Sequence, residues 1–306
     1  MKLTILSTCK SYLKPLTLYL SFFVAITANA TPTLVWLKPI ESDQKMSGHS
    51  IVSGSALELM KLVANNIENV NHRFEAYPIR RSWQLIKNTK QDQLAYCFWG
   101  ASYKKEREDW GYFTQPTSVT LPYMVAARKN TLSAFDQNGT VSVEELLKKK
   151  YTTVIFEKVT NAWTRIVAKV DYSNVVQISG LDKDLSLHTL LMIEKGRIDF
   201  GYISHRTIAN LDITNNKEIT LYEIRELSTG VVGDSRLLCS KSSLGKQMVT
   251  SINSALSKIH RDEKLNLEMR ELIFKAEGYP ERLRKNFEQQ WMRLTKGKKN
   301  NFSNER

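Results

Sequence analysis

The stretch CFWGASYKKEREDWGYFTQP, from Cys97 to Pro116, decides the fold. It begins as an apolar run typical of a buried strand, passes Gly100 and Ser102, and then places charged residues around Arg107. Gly100 lets a backbone N–H come close to a ligand because no side chain intervenes. Arg107 is then either an exposed residue of a charged surface helix or a guanidinium fork for a carboxylate.

Strand and helix signals alternate outward from this stretch. Before it, two further strand-like runs and two segments of helical periodicity give the order strand, helix, strand, helix, strand. This order predicts a parallel sheet with helices on its faces. After it, the alternation restarts beyond residue 121, and a strand-like run at Ser235–Ser240 returns the chain to the first sheet. Two long helices follow this return.

The two alternating units predict an α/β fold of two lobes, each lobe a mainly parallel sheet flanked by helices. Two crossings, near residues 121–128 and 230–236, join the lobes and leave a cleft between them that can close. We assign residues 31–122 and 236–280 to the first lobe and residues 123–235 to the second lobe.

Polar residues follow the predicted strands at the ends that face the cleft. In open parallel sheets, ligands bind beyond the carboxyl ends of the strands. The candidates that this rule adds to Gly100, Ser102 and Arg107 are Trp36, Arg80, Arg81, Thr160, Asn161 and Ser204. Alternatives remain for several of them. Trp36 can stack on a ligand or fill the core, the two added arginines can enter the cleft or stay solvated, and Thr160 can simply cap a helix.

The spacing of the opening stretch resembles the signature of periplasmic solute-binding proteins of family 3, the type linked to polar amino acid uptake. That signature is Gly-x-Thr-x-Thr-x-x-Arg, followed by Phe-Ser-x-Pro, and the residues from Gly100 to Arg107 and from Phe113 to Pro116 match its offsets without a gap. The resemblance implies the type 2 periplasmic binding fold. It also implies that the backbone of Gly100, the hydroxyl of Ser102 and Arg107 hold a ligand carboxylate.

Two departures from the family pattern point to a different ligand. Lys104 stands at the family's second hydroxyl position, and Ser204 stands where the family has an acidic residue that pairs a ligand's ammonium group. An α-amino acid would then leave its ammonium without a counter-charge, and an unpaired buried charge costs several kcal/mol. We therefore expect a small anionic or carboxylate-bearing ligand.

The N-terminus carries the features of a secretory signal. Lysines precede an apolar run over residues 16–26, and small residues suit cleavage near Ala30. We therefore expect residues 1–30 to be a signal peptide and the mature chain to be periplasmic. That compartment permits a disulfide between Cys97 and Cys239. Both cysteines lie in apolar runs, however, which favours two free, buried thiols and leaves the bridge as the alternative.

The net charge of +13 is spread unevenly over the 306 residues. The predicted signal carries three lysines, and residues 281–306 hold eight basic against three acidic residues, so the rest of the chain keeps only +5. We expect residues 281–306 to be a basic, partly helical and frayed C-terminal extension. The modest charge of the body argues against nucleic acid as a partner. No metal-ligand spacing is present, and we expect neither a metal nor a cofactor.

The residues and the resemblance together favour a binding module over an enzyme. We expect a monomeric exported receptor that closes on a small molecule and delivers it to an inner-membrane ABC transporter or sensor. The alternative is an enzyme on the same scaffold, such as a cyclohexadienyl-type dehydratase, which needs a general acid or base in the cleft. Glu157 and His205 are the candidates for that role, although we expect His205 to be solvated on a loop. We expect Asp199 to have a structural role.

Overall fold

The protein is described from a computed structural model that covers residues 31–39, 54–89, 93–157, 161–170, 172–179, 185–227 and 233–296. The predicted signal peptide of residues 1–30 and the candidate Thr160 lie outside these ranges. Within the described ranges, no helix combines the length and the apolar character that a membrane span requires.

The described ranges contain twelve strands and nine α-helices. The strands are β1 (Thr33–Pro39), β2 (Asn71–Tyr77), β3 (Leu94–Ser102), β4 (Gly111–Phe113), β5 (Ser118–Thr120), β6 (Met124–Arg128), β7 (Thr140–Val141), β8 (Thr153–Phe156), β9 (Val175–Ile178), β10 (Phe200–Ile203), β11 (Ile219–Ile224) and β12 (Gly233–Ser240). The helices are α1 (Gly54–Ala64), α2 (Ile79–Asn88), α3 (Val143–Lys148), α4 (Ala162–Val167), α5 (Leu185–Glu194), α6 (His205–Asn210), α7 (Ser243–Arg261), α8 (Glu263–Ala276) and α9 (Arg284–Lys296).

Strand β1 lies between two layers of helices because both of its faces are apolar. Its residues from Leu34 to Leu37 have no exposed surface. Leu34 and Trp36 belong to a core shared with α1, α7 and α8, whereas Val35 and Leu37 belong to a core shared with α2. The alternation follows from the two-residue period of a strand. The near-continuous apolar run therefore predicts this doubly covered strand correctly.

The strand order confirms the two-lobed α/β fold, but the sheets are mixed rather than mainly parallel. In the first lobe the order is β2-β1-β3-β12-β4, with β5 also paired to β12. Strand β1 is parallel to β2 and β3, whereas β12 is antiparallel to β3, β4 and β5. In the second lobe the order is β10-β6-β11-β7, and β6 is antiparallel to both of its neighbours. The prediction of mainly parallel strands is therefore wrong. The strands that follow or form the crossings, β6 and β12, run antiparallel to their neighbours in the sheets.

The two lobes have separate hydrophobic cores and share a two-stranded connection. The second core is built from the sheet of β6 and from α3, α4 and α5, with Trp163 and Phe200 fully buried at its centre. Strand β5 pairs with the start of β12, from Ser118 opposite Ser235 to Thr120 opposite Gly233. The chain then passes from β5 through residues 121–123 into β6 of the second sheet.

A disulfide joins Cys97 of β3 to Cys239 of β12. The two cysteines are direct partners in the antiparallel register, and neither has exposed surface. The prediction of two free thiols is therefore wrong. Adjacent positions in a sheet bring the two sulfur atoms together, and the 142 residues of sequence that separate them gave no sign of this pairing.

The C-terminal segment is part of the first lobe as far as residue 296. Helix α9 buries Phe287 and Trp291, which are each 1% exposed, in the same core as Trp36. The indole of Trp291 donates a hydrogen bond to Oδ1 of Asn266 at 3.0 Å. The predicted frayed extension needs correction here, because two large aromatic rings fix this helix to α8. Residues 297–306 lie outside the described ranges.

Candidate functional site

The carboxyl ends of the three parallel strands meet at one edge of the first sheet. Pro39 of β1 is level with Tyr77 of β2, and Leu37 of β1 is level with Phe98 of β3. Gly100 therefore lies at this same edge, two residues beyond Phe98. The arrangement agrees with the rule that ligands bind beyond the carboxyl ends of parallel strands.

Gly100 forms a bulge in β3. Trp99 pairs with Leu237 and Ala101 pairs with Arg236, so Gly100 is left without a partner in the ladder. Its φ is +88°, a left-handed conformation that favours glycine. A side chain here would meet its nearest atom, Oγ of Ser235, only at 3.8 Å, so the backbone conformation and not space demands the glycine.

Arg107 is held in place by two contacts. It ends a single turn of 3-10 helix, Lys105–Arg107, and its Nη1 donates a hydrogen bond to the carbonyl oxygen of Ser102 at 2.9 Å. Its guanidinium lies 4.8 Å from the ring centroid of Trp83 in α2. The side chain is half-buried. These contacts orient the guanidinium beside the end of β3, which is unlike a free surface arginine.

The environment of Arg107 favours an anion. Burial lowers the pKa of its guanidinium, an effect that the charge of Glu106 partly offsets. Burial also lowers the pKa of Lys104, and the positive charge of Arg107 lowers it further. Two partly dehydrated, positively charged side chains therefore lie together. An anion bound between them would stabilise the charged form of both.

The other candidates of the first lobe lie around this pair. Ser102 is exposed at the end of β3. Arg80 and Arg81 are exposed in the first turn of α2. Arg80 lies one helical turn before Trp83, so both residues are on the same face of α2. The ring of Trp83 on this face is the one that contacts Arg107. The hydrogen bond from Arg107 to the carbonyl oxygen of Ser102 brings these two candidates together, and the contact of Arg80 and Arg81 with a ligand stays a prediction.

Trp36 does not belong to this region. Its side chain has no exposed surface, and its indole donates a hydrogen bond to Nδ1 of His72 at 3.1 Å. Its ring stacks on Phe74 with centroids 6.2 Å apart. The prediction that Trp36 contacts a ligand is therefore wrong, because strand β1 directs this side chain into the core of the first lobe.

The candidates of the second lobe are helix caps. Oδ1 of Asn161 accepts a hydrogen bond from the backbone N–H of Thr164 at 2.9 Å, and Asn161 rather than Thr160 is the N-cap of α4. Oγ of Ser204 accepts one from the backbone N–H of Thr207 at 3.1 Å at the start of α6. These contacts give both residues a structural role. Their contact with a ligand stays a prediction.

His205 lies at the junction of the lobes and not on a solvated loop. It is 5% exposed, and its Nε2 lies 2.9 Å from the carbonyl oxygen of Pro122 in the first crossing. Its ring meets that of Tyr279 edge-on, with centroids 5.4 Å apart. Burial lowers the pKa of His205. The expectation of a solvated histidine is therefore wrong.

Sequence reasoning missed the contact between α6 and the end of α8. Nε of Arg206 donates to the carbonyl oxygen of Ala276 at 2.8 Å, and its Nη2 lies 3.0 Å from a carboxylate oxygen of Glu277. The one available signal was Gly278, which the sequence indicates only as a helix stop. A Cβ at Gly278 would lie 2.8 Å from the Cα of Arg206, so the glycine permits this close approach.

A cavity of about 680 Å³ lies at this junction. Residues of α6 and α8 line it, together with Tyr279, Pro280 and Arg282. None of the eight ligand-binding candidates that the structure describes lines it, whereas His205, the candidate general acid or base, does. We place the candidate site at the edge of β3, because that edge holds the oriented guanidinium and the unpaired glycine of the bulge.

The remaining acidic candidates have structural or solvated positions. Asp199 accepts hydrogen bonds from the backbone N–H and the hydroxyl of Thr152, both at 2.7 Å, so its predicted structural role is confirmed. Glu157 is exposed just after β8. Among the residues that the structure describes, no group of three or more histidine, cysteine, aspartate or glutamate residues is arranged to hold a metal ion.

Comparison with known proteins bears on the fold. The sequence matches no family model and no curated protein. Among solved structures, AbpA of Streptococcus pneumoniae, an amino acid ABC transporter substrate-binding protein bound to L-arginine, matches 82% of this chain and 97% of its own at 17% identity and a TM-score of 0.55. The chain has the fold of such substrate-binding proteins.

Two further structures support this substrate-binding-protein fold. One comes from work on glutathione import via GshT in Streptococcus mutans; it covers 81% of this chain and 95% of its own, with 14% identity and a TM-score of 0.58. The other is an ancestral arginine-binding protein bound to glutamine, which covers 80% and 98%, with 16% identity and a TM-score of 0.57. The likeness confirms the predicted fold.

Proposed function

We infer that the protein is an exported solute-binding protein that captures a small anionic or carboxylate-bearing molecule at the edge of β3, in the cleft between its lobes. It then delivers this molecule to an inner-membrane ABC transporter or a sensor. The observation that carries the proposal is the orientation of Arg107 by the ring of Trp83 and the carbonyl of Ser102. A guanidinium held in this way can bind a carboxylate with two parallel hydrogen bonds.

The second lobe supports an anion over an amino acid. Ser204 occupies the position at which the family pattern has an acidic partner for a ligand's ammonium group, and here it caps α6 instead. An ammonium group bound there would be buried without a counter-charge. The ligand therefore carries negative charge without a matching ammonium group.

A binding role agrees with the positions of the two groups considered for catalysis. An enzyme on this scaffold needs a general acid or base within hydrogen-bonding reach of its substrate. His205 lines the cavity at the lobe junction, but its Nε2 lies against the carbonyl oxygen of Pro122 and its ring against Tyr279, and Glu157 is exposed. Neither observation favours a dehydratase.

Thermal unfolding across a panel of small metabolites tests the proposal. A molecule that binds only the folded protein raises its melting temperature. We expect anionic metabolites to raise the melting temperature of the wild type and to lose this effect in Arg107→Ala. Arg261→Ala is the matched control, because Arg261 also donates to a backbone carbonyl, that of Ser257 at 3.1 Å, but lies on α7. Binding that survives in Arg107→Ala would contradict the proposal.

A further inference from the structure

Lys104 lies beside Arg107, at the position where the family pattern has a hydroxyl. Its backbone is extended, with φ of −148° and ψ of 130°, and its carbonyl accepts a hydrogen bond from the backbone N–H of Arg107 at 3.0 Å. Both side chains are half-buried. One tight turn therefore holds two cations next to each other at the end of β3.

Charged side chains near this pair have direct side-chain partners. Arg236 forms an ion pair with Asp234 at 2.7 Å, and the hydroxyl of Tyr103 donates to Oε1 of Glu108 at 2.9 Å. In the part of the chain that the structure describes, neither Lys104 nor Arg107 forms an ion pair with a carboxylate. The charge of Glu106, an exposed residue of the same turn, offsets the two positive charges only in part.

We propose that Lys104 and Arg107 together bind a compact dianion, which is a short dicarboxylate or a phosphate monoester. The proposal rests on the proposed function, since it names the ligand class of the same site. Arg107 supplies a planar fork that matches one carboxylate or phosphate face, and Lys104 supplies a point charge for the second negative charge. A monoanion would leave one partly dehydrated cation unpaired.

The cost of this arrangement can be measured without a ligand. Like charges in a partly dehydrated site destabilise the empty protein, so Lys104→Gln should raise its melting temperature at low ionic strength by about 2 °C. Lys105→Gln is the matched control, because Lys105 is the exposed neighbour in the same turn. An unchanged or lower melting temperature for Lys104→Gln would overturn the proposal.

Calorimetric titration with matched probes tests the ligand class. The pairs are succinate with succinamate, glutarate with glutaramate, and glycerol 3-phosphate with its monoanionic methyl diester. In each of the first two pairs an amide replaces one carboxylate on the same skeleton. We expect at least one dianion to bind about tenfold more tightly than its partner, which corresponds to about 1.4 kcal/mol, and we expect Lys104→Gln to abolish this preference. The carboxylate and phosphate arms identify which dianion the site takes.

The outcomes separate this inference from the proposed function. Equal binding within every pair, a preference that survives Lys104→Gln, or no binding of any dianion at about 10 mM would overturn the inference alone. Binding of both members of a pair that survives Arg107→Gln would instead overturn the proposed function. Loss of binding in Arg107→Gln together with loss of the dianion preference in Lys104→Gln supports both.

Discussion

Removing the disulfide between Cys97 and Cys239 should cause a large loss of stability. The link closes a loop of 142 residues between β3 and β12. In the chain-entropy account, closing a loop of this length removes about 17 cal/mol/K of conformational entropy from the unfolded state. This corresponds to about 5 kcal/mol of stability at 25 °C. We therefore expect the double variant Cys97→Ala, Cys239→Ala to unfold at a clearly lower urea concentration than the wild type.

Urea denaturation followed by circular dichroism gives the free energy of unfolding of both proteins. The control is reductant during unfolding, which should lower the midpoint of the wild type and leave that of the double variant unchanged. The bond also fixes the register three residues before Gly100, so the double variant should bind anions more weakly as well. A double variant within about 1 kcal/mol of the wild type would refute the reasoning, because the loop constraint would then contribute almost nothing.

Three further predictions address the bulge, the junction and the C-terminal helix. Gly100→Ala should lower the free energy of unfolding by about 1–2 kcal/mol, because the φ of Gly100 is +88°. Gly233→Ala is the control, because Gly233 lies outside the left-handed region and its substitution should not cause this loss. Urea denaturation measures the free energy of unfolding of both variants. Stability should fall as the pH drops from about 7 to about 5, because burial keeps the pKa of His205 below 6.5 in the folded state and the unfolded chain takes up the proton first. Urea titrations at each pH should show a smaller fall for His205→Gln than for the wild type. Trp291→Ala should cost about 3–5 kcal/mol in the same assay, whereas Met292→Ala at a 40% exposed position should cost little.

Local patterns in the sequence predict most of the elements and the position of the key arginine. The apolar run of β1 indicates a strand covered on both faces, and the structure buries it completely. Ser142 at the start of α3 accepts a hydrogen bond from the backbone N–H of Glu145, and a serine three residues before a glutamate is a local sequence pattern typical of such a cap. The offset between Gly100 and Arg107 predicts that the arginine lies near the strand end. These features depend on residues that are close in sequence.

The features that the sequence does not reveal depend on distant partners. The disulfide follows from a register between strands that are far apart in sequence, and the burial of His205 follows from its contacts with Pro122 and Tyr279. The sequence leaves Trp36 free to contact a ligand or to fill the core, and the position of β1 between two helix layers places it in the core. Basic composition suggested a frayed tail, but Trp291 fixes α9 to the first lobe. In each case, packing across the fold determines the role of the residue.

A crystal structure of the protein with its tightest-binding anion tests the central claim most directly. We predict that oxygen atoms of the anion lie about 3 Å from the guanidinium nitrogens of Arg107, beside the bulge at Gly100. The guanidinium should keep its contact with the ring of Trp83. An anion bound instead in the cavity between α6 and α8, with Arg107 directed into solvent, would contradict the account.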